Sequence, residues 1–346
     1  MRLKQVVSEN RKKLVLTLCV LLLGGCASGP KPSVVEPVDL IDPPSSASKG
    51  SAKAAPPSST LVREAEGLLA KGDAAGAKAK FSQAVAENAA DVRAQLGLGL
   101  SFEALGQPAE AETAYRAAIA AEPSFAEAHN NLGLLLRDGG DDAAAIEEFE
   151  RALAADPKLV SAQTNLALAL EDAGRSDDAA AAYEKAVQLA PKDALLRANR
   201  GLFLLGQKQT DAALGQLRAG LAAANGDRAA LLALGNGFRR ASKPDEAVRA
   251  LKLAIDAGDG KATPALLSEL ALAQNAAGDG AAAKVSLEKA LELEPRYATA
   301  HYLLGSIEAA AGDLKAARAH YDRCIALEPK GPLAAKSKEK LAALKR

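Results

Sequence analysis

Catalysis in a chain of 346 residues needs titratable or nucleophilic side chains within reach of one another, and here they are few. There are three histidines, three cysteines and no tryptophan. His129 and His301 are far apart, and neither belongs to an H-x-x-x-H pair. C-x-x-C, G-x-S-x-G and P-loop spacings are also missing. No metal cage, phosphate cradle or activated nucleophile is predicted, no cofactor is implied, and the chain is expected not to be an enzyme. The histidines, including His320, read as packing residues. Cys324, alone once Cys19 and Cys26 are accounted for below, reads as a small buried apolar group. What does recur is asparagine. Asn131, Asn165 and Asn199 stand at one constant interval. Each offers two donors and an acceptor, enough to hold an extended peptide backbone without reading its sequence. Leu134, Leu168 and Leu202 follow three residues later and supply apolar contact, with Arg137, Asp138, Glu171 and Asp172 nearby. Arg239 and Arg240 form a small basic site suited to a carboxylate.

The constant interval belongs to the whole chain. Residues 126–157, AEAHNNLGLLLRDGGDDAAAIEEFERALAADP, repeat with small changes up and down the sequence. With Ala126 as position 1, Leu132 and Gly133 fall at 7 and 8, Gly140 at 15, Ala145 at 20, Phe149 at 24, Ala152 at 27 and Pro157 at 32. The next unit places Leu166, Ala167, Gly174, Ala179, Tyr183, Ala186 and Pro191 in those slots. Small residues at 8, 20 and 27 remove bulk where two antiparallel helices must approach to about 8–10 Å. Leu at 7, an apolar residue at 11 and an aromatic at 24 fill the remaining space. Glycine at 15 ends the first helix in a left-handed turn. Asp141, Ser176, Gln107 and Asp313 are placed to cap the second. Proline at 32 stops it.

This pattern resembles the tetratricopeptide repeat. The resemblance implies an all-α, right-handed solenoid of about eight helix pairs over 58–331. The units are 58–91, 92–125, 126–159, 160–193, 194–227, 228–263, 264–297 and 298–331, and a Lys-rich capping helix follows over 332–346. Two departures stand out. Unit five has Arg200 at 7, Leu217 at 24, Gly220 at 27 and Asn225 at 32. Unit six loses the proline and gains two residues in 258–261. Units five and six are therefore expected to form a hinge or kink. In such a solenoid the first helix of each pair lines the inner face, which would place Asn131, Asn165 and Asn199 in the groove. This is similar to the asparagine ladder of some peptide-binding tetratricopeptide arrays.

The first 25 residues read as a targeting segment. Arg2, Lys4, Arg11, Lys12 and Lys13 form a basic head, and 14–23 is an apolar run too short to span a bilayer. It ends in Leu23-Gly24-Gly25-Cys26, which resembles the bacterial lipobox and implies lipidation of Cys26. Ala27, where an inner-membrane retention signal would carry Asp, implies an outer-membrane lipoprotein facing the periplasm. Residues 26–57, rich in Pro, Ser, Ala and Lys, read as a disordered tether. Basic and acidic residues balance over the full chain, and loss of the basic head leaves a small negative excess. Nucleic acid is therefore not expected as a partner. The expected function is a membrane-anchored scaffold that holds protein segments, for assembly of an envelope machine such as a pilus or secretin. The alternative is an adaptor that recruits peptidoglycan-remodelling enzymes.

Overall fold

The computed structural model describes residues 60–258 and 260–344. The expected targeting segment, Cys26 and the expected tether lie outside the described residues. The helices run in pairs. They are α1 (Thr60–Ala70) with α2 (Ala74–Glu87), α3 (Val92–Ala104) with α4 (Pro108–Ala121), α5 (Ala126–Asp138) with α6 (Asp142–Ala155), and α7 (Val160–Asp172) with α8 (Ser176–Leu189). Then come α9 (Ala194–Gly206) with α10 (Thr210–Ala223), α11 (Arg228–Arg240) with α12 (Pro244–Asp256), α13 (Pro264–Ala276) with α14 (Gly280–Leu293), and α15 (Ala298–Ala310) with α16 (Leu314–Leu327). A last helix, α17 (Pro332–Ala343), packs on α16. Among the described residues there is no strand. They fall into two compact units, 60–191 and 192–344, each a stack of four helix pairs.

The small residues are where the helices meet. All eight alanines at position 20 (Ala77, Ala111, Ala145, Ala179, Ala213, Ala247, Ala283 and Ala317) are fully buried. At position 8, a Cβ on Gly133 would stand 2.7 Å from Phe149, and one on Gly305 would stand 2.9 Å from Tyr321. Neither pair has room for a larger side chain without moving apart. Phe81, Tyr115, Phe149, Tyr183 and Tyr321, the aromatics at position 24, are themselves fully buried. Cys324, at position 27, is also buried, and its burial pushes the thiol up.

Turn chemistry follows the repeat with two exceptions. Gly72, Gly106, Gly140, Gly174, Gly278 and Gly312, all at position 15, adopt positive φ. Units five and six lack that glycine, and Lys208 (φ 61°) and Ser242 (φ 57°) take the left-handed conformation instead. Two of the four expected caps are observed: Asp141 accepts from the Ala144 N–H and Asp313 from the Ala316 N–H. The other two need correction. Ser176 is already the first residue of α8, one place too late to cap it, and the preceding Arg175 pairs with Asp178. Gln107 makes no capping bond, and its amide oxygen accepts from Lys78 Nζ instead.

Units five and six depart in packing as well. α9 and α11 lie in broad contact, whereas the first helices of neighbouring pairs elsewhere touch only lightly. Leu217, in place of the aromatic, wedges between Gly201 and Gly237; a Cβ there would stand 2.7 or 2.5 Å from its Cδ2. Two glycines and a shorter core side chain let these first helices close on each other.

The two strained turns make a stability prediction. Lys208→Gly and Ser242→Gly should each raise stability by about 0.5–1 kcal/mol, because glycine removes the left-handed Cβ penalty at some cost in chain entropy. Chemical denaturation of the single variants checks this. A loss of stability in both would contradict the reading.

Candidate functional site

Within the first unit, first helices of neighbouring pairs touch (α1 with α3, α5 with α7), while the second helices do not pack on each other to a similar extent. The first helices therefore line the inner side of the stack, and α5 and α7 carry the expected asparagines. Asn131 and Asn165 are half-buried, as are Leu134 and Leu168. The two asparagines are joined through a third that sequence reasoning passed over. Asn165 Nδ2 donates to Asn130 Oδ1 at 2.9 Å, and Asn130 Nδ2 donates to Asn131 Oδ1 at 3.2 Å. Asn130 is buried, one position before the ladder, and bridges α5 to α7. This chain leaves the Asn131 amide as a donor and the Asn165 oxygen as an acceptor. Asn199 and Leu202 lie on α9 of the other unit, where both are buried.

Position 12 gives the inner face its charge. In units two and four it holds Glu103 and Glu171, and each accepts from a tyrosine hydroxyl at position 24, Tyr115 and Tyr183 respectively. In unit three the residue is Arg137, and its position-24 counterpart is Phe149, which has no hydroxyl. Arg137 is buried, at 8% exposure, and its Nε and Nη1 have no hydrogen-bond partner. Seven residues after Asn130, it falls on the same side of α5, the side turned to α7. Around it the carboxylates crowd. Burial raises Glu103 above the ordinary carboxylate value, the Tyr115 hydrogen bond opposes this, and Asp138 raises it further. Asp138 itself is raised by the protein around it, against the pull of Arg137. Burial, then Glu171, raises the Tyr183 hydroxyl.

The basic site expected at Arg239 and Arg240 is altered by a residue of the following unit. Arg239 Nε lies 3.6 Å from Glu269 Oε2, and its Nη2 donates to Asn236 Oδ1 at 3.4 Å. Position 6 of unit seven is a glutamate, and it supplies a counter-charge that takes Arg239 away from an incoming carboxylate. Arg240 is exposed.

The histidines do pack, through a polar seam between positions 4 and 23 of one pair. His129 Nδ1 meets Glu148 Oε2 at 2.6 Å and its Nε2 meets the Pro123 carbonyl at 3.0 Å. Arg197 Nη1 donates to Gln216 Oε1 at 2.9 Å in unit five, and His301 meets His320 in unit eight. Nineteen residues of separation joins the two positions in each case. That spacing was readable in the sequence, but only once the helix pairing was known. Among the described residues no three His, Cys, Asp or Glu side chains gather as a metal site, and no helix is long and apolar enough to cross a membrane.

Among the described residues, sixteen helices in eight antiparallel pairs and one final helix, with an inner face of amides and charges and no metal-binding cluster, define an all-α helical-repeat scaffold. Family models described as tetratricopeptide repeat match residues 62–112, 96–159, 160–193 and 274–341, together more than half of the chain. The chain belongs to the tetratricopeptide-repeat family, whose members are generally non-enzymatic scaffolds for contact between proteins. A comparison with curated proteins gave no match. Among solved structures it is similar to a chain of the APC/C hetero-tetramer Cut9–Hcn1 (17% identity, TM-score 0.56, 83% of this chain and 55% of that one). This chain thus spans about half the length of that relative. It is also similar to a tetratricopeptide repeat protein from Parabacteroides merdae (19% identity, TM-score 0.51, 74% and 99%). A third likeness is to PilW, described as a widely conserved type IV pilus biogenesis factor (22% identity, TM-score 0.52, 61% and 97%). At these identities the likeness concerns the fold.

Buried guanidinium nitrogens without hydrogen-bond partners, here Nε and Nη1 of Arg137, are a cost to the folded state. Arg137→Met, which keeps length and loses charge, should therefore raise stability by about 1–3 kcal/mol. Denaturant midpoints measure it, and a fall of comparable size would show that the guanidinium is structural.

Proposed function

We propose that the inner face of the first unit binds an extended segment of a partner protein. The observation that supports this most is Arg137, buried on the α5 face that carries the bridged asparagines, with Nε and Nη1 lacking hydrogen-bond partners. A scaffold that kept this residue for stability alone would give it an acceptor. A peptide backbone supplies the missing groups: carbonyl oxygens for Arg137 and the Asn131 amide, and an N–H for the Asn165 oxygen. Leu134 and Leu168 take apolar side chains of the segment. The surrounding acids, Glu103, Asp138, Glu171 and Asp172, favour a segment that carries Lys or Arg. Asn199 and Leu202 belong to the second unit, where both are buried, and take no part in this proposal.

The wider role we assign is a periplasmic lipoprotein scaffold, held by a lipid on Cys26 and serving assembly of an envelope machine such as a pilus. The Leu23-Gly24-Gly25-Cys26 motif supports the anchor. The fold-level likeness to PilW is in keeping with the class of machine. Cys26→Ser should move the protein from the membrane fraction to the soluble fraction of cells; retention in the pellet would end the lipid assignment.

Groove binding is checked with peptide probes on the full chain. A fluorescent extended peptide bearing lysines should bind, while its glutamate counterpart should not. Asn131→Ala with Asn165→Ala should weaken binding by about tenfold or more, the loss of a few hydrogen bonds, with helicity unchanged. Unchanged affinity would remove the groove from the account. The pH dependence has a fixed sign. Glu103 and Asp138 titrate above their ordinary range, and protonation removes the charge that attracts the segment. Affinity should therefore fall as pH drops toward that range, and a rise would contradict the charge argument.

A further inference from the structure

Asn-Gly occurs twice in the chain, at Asn225-Gly226 and at Asn236-Gly237, and the fold holds the two pairs differently. This dipeptide carries a chemistry of its own. The backbone nitrogen that follows an asparagine can attack the side-chain amide carbon and close a five-membered succinimide ring. Glycine obstructs the attack least, having no Cβ. Closure needs that nitrogen turned to the same side as Cβ about the Cα–C bond. For an L residue this is a ψ of about −120°, the ψ of the first central residue in a type II′ turn.

Asn225 stands at position 32 of unit five, where other units stop their second helix with Pro123, Pro157, Pro191, Pro295 or Pro329. Here the chain makes a tight turn instead. The Asp227 N–H donates to the Ala224 carbonyl at 2.6 Å, with φ 41° at Asn225 and φ 84° at Gly226 between them. Two positive-φ central residues closed by that bond form a type I′ turn. Types I′ and II′ share the positive φ of the first central residue and the closing hydrogen bond. They differ by a flip of the peptide plane between the central residues. Glycine at the second central position takes either sign of φ. A flip of the Asn225–Gly226 plane therefore carries the Gly226 nitrogen to the Asn225 side chain while the turn stays closed. Both residues are exposed, and among the described residues nothing accepts from the Gly226 N–H. Asn236-Gly237 lies inside α11. There the Gly237 N–H belongs to the helix ladder, and Gly237 is buried against Leu217. Flipping that plane would break the helix.

We propose that Asn225 is a self-modifying site, converted through a succinimide to aspartate and isoaspartate, while α11 protects Asn236. The Gly226 nitrogen gives its proton to solvent base and bonds to Asn225 Cγ. The Cγ–Nδ2 bond breaks, and the amide nitrogen leaves as ammonia. Water then opens the ring at either carbonyl. Attack at Cγ gives aspartate; attack at the main-chain carbonyl gives isoaspartate, in which the backbone runs through Cβ. Nothing is oxidised or reduced. The turn joins two fixed points. Ala224, just before it, is buried in the core, and Asp227, just after it, caps α11 by accepting from the Ala230 N–H at 3.0 Å. Isoaspartate inserts a backbone carbon between them and loosens the joint of α10 with α11. Aspartate only adds a negative charge near the N-terminus of α11, where the helix dipole favours it.

The test uses the full chain, aged at mildly alkaline pH both folded and in urea, with each site read by peptide mass mapping. In the folded chain, ammonia loss and then the amide-to-acid mass change should appear at Asn225. They should appear faster as pH rises, because the attacking nitrogen must first lose its proton. Asn236 should convert at least about tenfold more slowly, since its helix must open first. In urea the two sites should convert at similar rates, so that the difference belongs to the fold and not to the flanking residues. Equal rates in the folded chain, or no conversion at Asn225, would overturn the proposal. Hydrogen exchange reads the consequence. Aged chain rich in isoaspartate should lose protection in the first turn of α11, whereas freshly prepared Asn225→Asp should keep it. Unchanged protection in the aged chain, or an equal loss in Asn225→Asp, would overturn the loosening by isoaspartate.

Discussion

The structure depends on how closely two helices can lie. Position 8 holds only Gly or Ala in all eight units, and position 20 holds only Ala. Opposite them stands one large side chain at position 24, buried to the last few per cent of its surface. The arrangement is a knob against a flat wall, and dispersion contacts over that wall are lost quickly if the helices separate. Stacking then follows, because a single pair leaves one apolar face open and only the next pair can cover it.

Close packing frees the rest of the first helix for other work. Positions 5, 6, 9 and 12 are not held to the small size required at 8 and 20, so they vary, and the variation has chemical content. Glu103 and Glu171 each accept from a tyrosine hydroxyl, while in unit three, where position 24 is Phe149, Arg137 Nε and Nη1 have no hydrogen-bond partner. Exchanging Glu and Tyr for Arg and Phe at positions 12 and 24 turns a satisfied seam into an unsatisfied one. The seam between positions 4 and 23 varies in the same way, from His129–Glu148 to Arg197–Gln216 to His301–His320. A regular frame with irregular polar insertions is how a repeat array acquires individual sites.

The frame was legible in the sequence because its signal is the size of side chains at fixed intervals, which needs no knowledge of tertiary contacts. The glycine turns were legible too, and so was the odd character of units five and six, although not its form: Leu217 wedged between Gly201 and Gly237, with α9 and α11 drawn together. The site was legible only in part. Asn131 and Asn165 recur at the repeat interval, whereas Asn130, which joins them, belongs to no such series, its slot holding Thr164 and Ala198 in the next two units. Arg137 was noticed without the feature that matters, its missing partner. Arg239 looked like a free cation because Glu269 stands a full unit away in sequence. His301 and His320 read as packing residues, but nineteen residues of separation hide that they pack on each other. Partner identity between helices is decided by the turn that folds one onto the other, and composition does not reveal it.

The central claim is that the glycine at position 8 and the large residue at 24 are fitted to each other. A double-mutant cycle on Gly133 and Phe149 tests it, read by hydrogen exchange in α5 and α6. Gly133→Ala should destabilise the pair in the parent chain, since the added methyl meets the ring at 2.7 Å. With Phe149→Leu, which recreates the Ala271 and Leu287 pairing of unit seven, the same change should cost less by about 1 kcal/mol or more, the coupling expected of residues in contact. Strict additivity of the two substitutions would contradict the account.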